Sequence, residues 1–208
     1  MEIYLIRHGQ TGGNEAKRHQ SEESHLTPLG KQQANRAAQK IKDLQPTQVF
    51  VSNRVRAIQT AQAIAEATDL TPQVNELFTE LCRPDKLYGH HHKSFKSIWY
   101  VYLWYRGKVG EASCSDEGES YDHFFKRVKK AQRFLESQPA GARIAVVSHS
   151  IFINFFVAHL HDDKPINLIR AFLIFTKILR IRNGSVTRLQ CQSTPDQRSQ
   201  WRVLTFGE

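Results

Sequence analysis

The sequence predicts an α/β protein: a mostly parallel sheet with helices on both faces, an insertion after the second helix, and a C-terminal hairpin. Three observations predict this. Apolar runs of strand length, Ile3–Ile6, Val49–Val51 and Ile144–Val147, are too short for core helices. Apolar residues at helical spacing follow each of them, the alternation of parallel strands with crossover helices. No repeat, low-complexity tract or Gly/Ser linker divides the 208 residues, so a single domain spanning 1–208 is expected.

In chain order, Ile3-Tyr4-Leu5-Ile6 is bounded by Gly9, Gly12 and Gly13, which end a strand. Thr27-Pro28 reads as a helix start with proline in the first turn. Leu29, Ala34, Ala37, Ala38, Ile41 and Leu44 continue that helix to the stop at Pro46. After Val49-Phe50-Val51, the residues Ala57, Ile58, Ala61, Ile64 and Ala65 mark a second helix. Tyr121, Phe124, Phe125, Val128 and Leu135 mark a third, ending near Pro139-Ala140-Gly141. The strand Ile144–Val147 leads into a helix over Ile151–Leu160. Further on, Ile174–Ile181 reads as a strand and Asn183-Gly184 as a hairpin turn, with Val186–Cys191 and Trp201–Phe206 as further strands. Residues 81–118 fit no repeating unit. They hold the aromatic run Trp99–Tyr105 and read as an insertion that forms part of the substrate pocket.

Composition narrows the function class. Apolar residues make up 40% of the chain and charged residues 24%, which excludes a disordered or collagen-like polypeptide. No apolar run reaches the roughly 20 residues that span a bilayer, so no membrane association is expected. The first residues enter a strand directly, with no basic leader and long apolar core, so no secretory signal is expected. Three cysteines, Cys82, Cys114 and Cys191, are odd in number and far apart. That argues against a disulfide framework and for a reducing, cytoplasmic setting. The net charge of +9 suits an anionic partner without specifying which.

The chemistry gathers behind the three strands. The first ends in Arg7-His8-Gly9, the second in Ser52 with Arg56 a turn later, the third in Ser148-His149-Ser150. Open α/β sheets bind ligands beyond the carboxyl ends of their strands. Parallel neighbours would therefore bring two histidines and two arginines to one edge, beside helix N-termini with unpaired N–H groups. That is an anion site, and phosphate matches guanidinium geometry. A neutral imidazole there can attack a phosphoryl group, with the arginines stabilising the transferring oxygens and a carboxylic acid protonating the leaving oxygen.

These residues resemble the histidine phosphatase superfamily, also called phosphoglycerate mutase-like. Arg7-His8-Gly9-Gln10-Thr11 is similar to its Arg-His-Gly-x-Thr signature. The likeness continues through Asn14, Leu26–Gly30 with Gln33-Ala34, Ser52 through Arg56–Ala61, Gly118-Glu119-Ser120 and Val146–His149. The resemblance implies that His8 is the nucleophile and that Arg7, Arg56 and His149 hold the phosphoryl group. Asn14, Thr11, Gln10 and Ser150 would be substrate contacts. Glu80, in Leu77-Phe78-Thr79-Glu80-Leu81, is the implied proton donor, preferred to Glu76 on local pattern. Many members carry glycine where Ser150 stands, so an altered substrate fit is expected there.

The resemblance implies a metal-independent phosphatase that hydrolyses a small phosphorylated substrate through a phosphohistidine, with no cofactor. A phosphoglycerate mutase using the same intermediate is the alternative. It ranks second because the substrate-binding insertion of well-defined mutases is not recognisable in Cys82-Arg83-Pro84-Asp85. A non-catalytic phosphate- or nucleic-acid-binding module ranks last, because each expected catalytic position holds a competent residue. Three segments receive structural readings. His90-His91-His92 reads as a surface loop, since no Cys or carboxylate stands beside it at metal-ligand spacing. Lys126, Arg127, Lys129 and Lys130 read as the solvated face of a helix, and Arg54 as a solvated helix arginine.

Overall fold

The computed structural model describes residues 1–111, 116–161, 181–193 and 199–208. Six strands form one sheet: β1 (Glu2–Arg7), β2 (Gln48–Val51), β3 (Gln73–Val74), β4 (Arg143–Ser148), β5 (Val186–Ser193) and β6 (Ser199–Thr205), in spatial order β3-β2-β4-β1-β5-β6. The pairs β2–β3, β2–β4 and β1–β4 are parallel. The pairs β1–β5 and β5–β6 are antiparallel. The six described helices are α1 (Gly12–Glu15), α2 (Pro28–Asp43), α3 (Val55–Thr68), α4 (Phe95–Tyr105), α5 (Tyr121–Glu136) and α6 (Ser150–Ala158). None is long and apolar enough to cross a membrane.

The continuous apolar runs are explained by burial on both sheet faces. Along β1, Tyr4 and Ile6 enter a core built with Ala37, Ala38 and Ile41 of α2 and Ala57, Ala61 and Ile64 of α3. The intervening Ile3 and Leu5 enter the opposite core, with Phe124 and Val128 of α5 and Phe152 and Phe155 of α6. β4 alternates likewise, Ala145 and Val147 to one side, Ile144 and Val146 to the other. Helices therefore cover both faces, as the sequence predicts.

Local chemistry sets the helix starts. The Thr27 hydroxyl accepts from the Gly30 amide at 3.0 Å ahead of Pro28, and the Ser120 hydroxyl accepts from the His123 amide at 3.3 Å. The excursion after residue 80 carries α4, whose Trp104 is fully buried in the second core and donates to the Glu119 carbonyl at 2.7 Å. The strand expected over Ile174–Ile181 falls mostly outside the described residues. The Asn183-Gly184 turn is present, with Gly184 at φ +74°, and it leads into β5.

One cysteine expectation is corrected. Cys82 is disulfide-bonded, whereas Cys191 is a free, buried thiol. At the bonded cysteine, the Glu119 amide donates to the Cys82 carbonyl at 2.9 Å.

Candidate active site

The carboxyl ends of β1, β4 and β2 lie flush at the centre of the sheet. Arg7 is in register with Ser148, the His8 amide donates to the Ser148 carbonyl at 3.1 Å, and the Ser52 amide donates to the Val147 carbonyl at 3.0 Å. His8 and His149 each follow immediately on their strand and meet there, with ring centroids 5.0 Å apart and planes at 59°. Arg56, in the first turn of α3, joins them. All four side chains belong to buried or nearly buried residues, His149 completely so.

The His8 tautomer follows from its partner. His8 Nδ1 lies 2.7 Å from the Gly9 carbonyl oxygen, which can only accept, so Nδ1 carries the proton and Nε2 keeps its lone pair. His149 Nε2 lies 2.8 Å from the Ser52 hydroxyl, whose oxygen already accepts from the Arg54 amide at 3.3 Å. With the Ser52 proton donated to Nε2, His149 Nδ1 is left as a buried N–H donor without a partner. Burial first, then the charges of Arg56 and Arg7, hold His8 well below the usual imidazole range. Burial and Arg56 do the same to His149. Both rings are neutral at physiological pH.

The arginines remain charged. Burial lowers each guanidinium to about 10, opposed by the Glu80 carboxylate. Arg7 donates from Nη1 to the Ile181 carbonyl at 2.5 Å and Arg56 from Nη1 to the Ser21 carbonyl at 3.0 Å. Their Nε–H groups are buried and unpartnered. Buried donors normally find acceptors. Three of them, Arg7 Nε, Arg56 Nε and His149 Nδ1, are thus left unsatisfied in one cationic pocket that suits a multiply charged oxyanion.

Glu80 reaches this pocket from outside the sheet. It follows the 3₁₀ turn Glu76–Phe78, and its carboxylate receives the first amides of α6: Phe152 to Oε1 at 3.1 Å and Ile151 to Oε2 at 3.3 Å. Leu81 also donates to Oε1, at 3.0 Å. Since His149 supplies no side-chain cap to α6, the Glu80 carboxylate takes that place. Oε2 receives one long bond and has the greater capacity left for a ligand. Glu76 lies within the preceding turn.

Gly9 and Gly30 make the loop behind His8 possible by close backbone approach: a Cβ on Gly9 would run into the Gly30 carbonyl, and one on Gly30 into the Gln10 carbonyl. The Gly9 amide donates to the Thr60 hydroxyl at 3.1 Å, which donates to the Arg56 carbonyl at 2.8 Å, tying the His8 loop to α3. Gln10 is committed to this scaffold, its Oε1 accepting from the Thr27 hydroxyl at 2.9 Å. Thr11 is buried and caps α1, its hydroxyl accepting from the Asn14 amide at 3.3 Å. Asn14 Oδ1 accepts from the Thr11 amide at 3.3 Å. Ser150 is the first residue of α6.

Sequence reasoning missed three residues around the site. Asn183, read only as a turn residue, donates from Nδ2 to both the His8 carbonyl and Asn14 Oδ1, each at 3.0 Å. Its turn therefore braces the segment carrying His8, and the Gly184 amide donates to the Arg7 carbonyl at 3.0 Å. Arg54 is not solvated: it is buried at the N-cap of α3, pairs with Glu22 and donates to Cys82 Sγ at 3.2 Å. Arg127 is not solvated either, because it turns inward to Glu119 and the carbonyls of residues 77, 79 and 80. Lys126, by contrast, lies on the exposed face and pairs with Asp122 at 2.6 Å. Of the three consecutive histidines, His92 is exposed and its ring lies 4.7 Å from that of the buried His19. Among the described residues no group of three or more His, Cys, Asp or Glu side chains could hold a metal ion.

The family model described as the histidine phosphatase superfamily, branch 1, matches residues 3–203. The chain belongs to that superfamily. A protein of Erwinia tasmaniensis named "Probable phosphoglycerate mutase GpmB" is 31% identical, the match covering 100% of this chain and 93% of the relative. Its namesake in Photorhabdus laumondii is 30% identical with the same coverage. Among solved structures, a mycobacterial glucosyl-3-phosphoglycerate phosphatase shares this superfamily fold with a TM-score of 0.74 at 22% identity, covering 99% of this chain and 98% of the other. An Entamoeba histolytica phosphoserine phosphatase mutant bound to phosphoserine gives 0.73 at 24% identity, with 99% and 96% covered.

Proposed function

We propose that this member of the superfamily is a metal-independent phosphatase that hydrolyses small phosphomonoesters through a phosphohistidine on His8. The observation that carries this reading is the pair of neutral, buried imidazoles 5.0 Å apart, set with Arg7 and Arg56 among unsatisfied N–H donors.

The substrate phosphoryl oxygens accept from Arg7, Arg56 and His149, filling the vacant donors. The lone pair of His8 Nε2 forms the N–P bond as the ester P–O bond breaks. The proton that the leaving oxygen needs passes to it from the Glu80 carboxyl group, and the alcohol departs. Positive charge developing on the His8 ring is shared with the Gly9 carbonyl through Nδ1–H. In the second step a water oxygen attacks phosphorus, the N–P bond breaks, and the Glu80 carboxylate takes the water's proton. The arginines favour both transfers because they meet charge that spreads over the equatorial oxygens. This reading assigns Asn14 and Ser150 as substrate contacts, while Gln10 and Thr11 serve by shaping the loop. In this reading the excursion after residue 80 supplies part of the pocket wall, its Arg83 lying near enough to act electrostatically on Arg56.

A phosphoglycerate mutase is the second reading, favoured by the printed names of the relatives at 30–31% identity. It shares the first transfer and returns the phosphoryl group to a second hydroxyl of the bound intermediate. The test is a panel of phosphomonoesters, 3-phosphoglycerate included, assayed with chelator for both inorganic phosphate and isomerised product. Phosphate release that His8→Ala abolishes is expected; isomerisation of 3-phosphoglycerate outpacing phosphate release would establish the mutase instead.

A further inference from the structure

We propose that Arg127 and Glu119 are positioning residues that hold Glu80 in place for proton transfer. This rests on the reading of Glu80 as the proton donor. The Arg127 guanidinium uses every N–H direction it has. Nε donates to Glu119 Oε1 at 2.9 Å and Nη2 to Glu119 Oε2 at 2.7 Å, a bidentate pair inside the protein with Glu119 fully buried. Nη1 donates to the Leu77 and Thr79 carbonyls at 3.1 and 2.7 Å, and Nη2 to the Glu80 carbonyl at 3.3 Å.

The segment that receives these bonds has little regular structure of its own beyond the turn Glu76–Phe78. Its carbonyls would otherwise be buried acceptors without ladder partners. Arg127 supplies those partners from α5, while the Glu80 carboxylate is held by the amides of α6. The Glu80 backbone and its carboxylate are therefore fixed from two different helices. Glu119 is in turn steadied by His123 Nδ1 at 2.7 Å, so the guanidinium plane has one orientation. Lysine cannot reproduce the arrangement, because an ammonium has neither the planar fork nor enough directed donors to reach Glu119 and three carbonyls. Displacing a catalytic group by about 1 Å costs on the order of 100-fold.

The test measures kcat/KM, which reports the first phosphoryl transfer, on two substrates. One is an alkyl phosphate, whose alkoxide needs a proton to leave. The other is para-nitrophenyl phosphate, whose phenolate leaves without one. Glu80→Gln sets the reference pattern: a loss of about 100- to 10,000-fold on the alkyl ester, with far less on the aryl ester. Arg127→Met and Glu119→Gln are expected to lose about 10- to 100-fold more on the alkyl than on the aryl ester, with Arg127→Lys intermediate. Circular dichroism and a melting curve identify variants that fold, and Arg127→Lys and Glu119→Gln carry the test should Arg127→Met not fold. Equal losses on both esters in folded Arg127 and Glu119 variants, alongside a split in Glu80→Gln, would overturn the positioning role alone. A Glu80→Gln enzyme with no split would overturn the acid assignment itself and remove the basis of the inference.

Discussion

The His8 and His149 rings lie 5.0 Å apart although β2, β3 and β4 all intervene between them in sequence. Parallel pairing of β1 with β4 alone accounts for that meeting, since each histidine is the first residue beyond its strand. Burial and the neighbouring guanidiniums keep both rings in the neutral form.

That neutrality has a consequence for stability. Both histidines have folded-state pKa values depressed below the unfolded value of about 6.5. Above that pH neither state takes up protons at these sites, so the histidines make no pH-dependent difference. Below it the unfolded chain binds protons that the folded protein refuses, and stability falls as pH drops, by up to about 1.4 kcal/mol per pH unit per histidine. Urea unfolding between neutral and mildly acidic pH should show this decline, with a shallower slope in His149→Asn. Equal slopes in the two proteins would contradict the assignment of a neutral, buried His149.

Arg56→Lys tests whether the pocket needs guanidinium geometry or only positive charge. The lysine ammonium keeps the charge but cannot present Arg56 Nε and Nη donors together. We expect kcat/KM for phosphomonoester hydrolysis to fall by about 100- to 1,000-fold, comparable to loss of an oxyanion donor, with the fold intact by circular dichroism. Activity within a few-fold of the native enzyme would show that charge alone suffices.

Gly9→Ala addresses the close approach behind the nucleophile. The added methyl meets the Gly30 carbonyl, a backbone atom that cannot rotate away. Overpacking of this kind typically costs about 1–3 kcal/mol, and here it also displaces His8. Denaturant midpoints should drop accordingly and activity should fall further than stability explains. A variant as stable and as active as the native protein would show that the loop has room the structure does not indicate.

Much of the fold was legible because its signals are local. Apolar runs such as Ile3–Ile6 are buried on both sides and need no periodicity to be read as strands, and Thr27-Pro28 announces α2 by its own chemistry. The histidines and arginines of the pocket were legible because the strand ends that carry them hold short, unusual combinations such as Arg7-His8-Gly9. What escaped depends on the far side of a contact. Arg127 stands in a run of lysines, and only its partners distinguish it: three carbonyls from residues 77–80 and the buried Glu119. Its place next to Val128, on the border of the apolar face of α5, was the available signal. Asn183 gave a turn signal that hid its second use, bracing His8 and Asn14 across the sheet. Arg54 reads in sequence as a solvated helix arginine, and only its contacts with Glu22 and Cys82 show otherwise.

Trapping the phosphorylated enzyme tests the central claim most directly. The protein is mixed with a labelled phosphodonor, quenched within milliseconds, and the label mapped on the polypeptide. The account predicts an acid-labile phosphoryl group on His8, formed at least as fast as turnover and absent from His8→Ala. Undiminished turnover by His8→Ala, or a label carried on another residue, would contradict it.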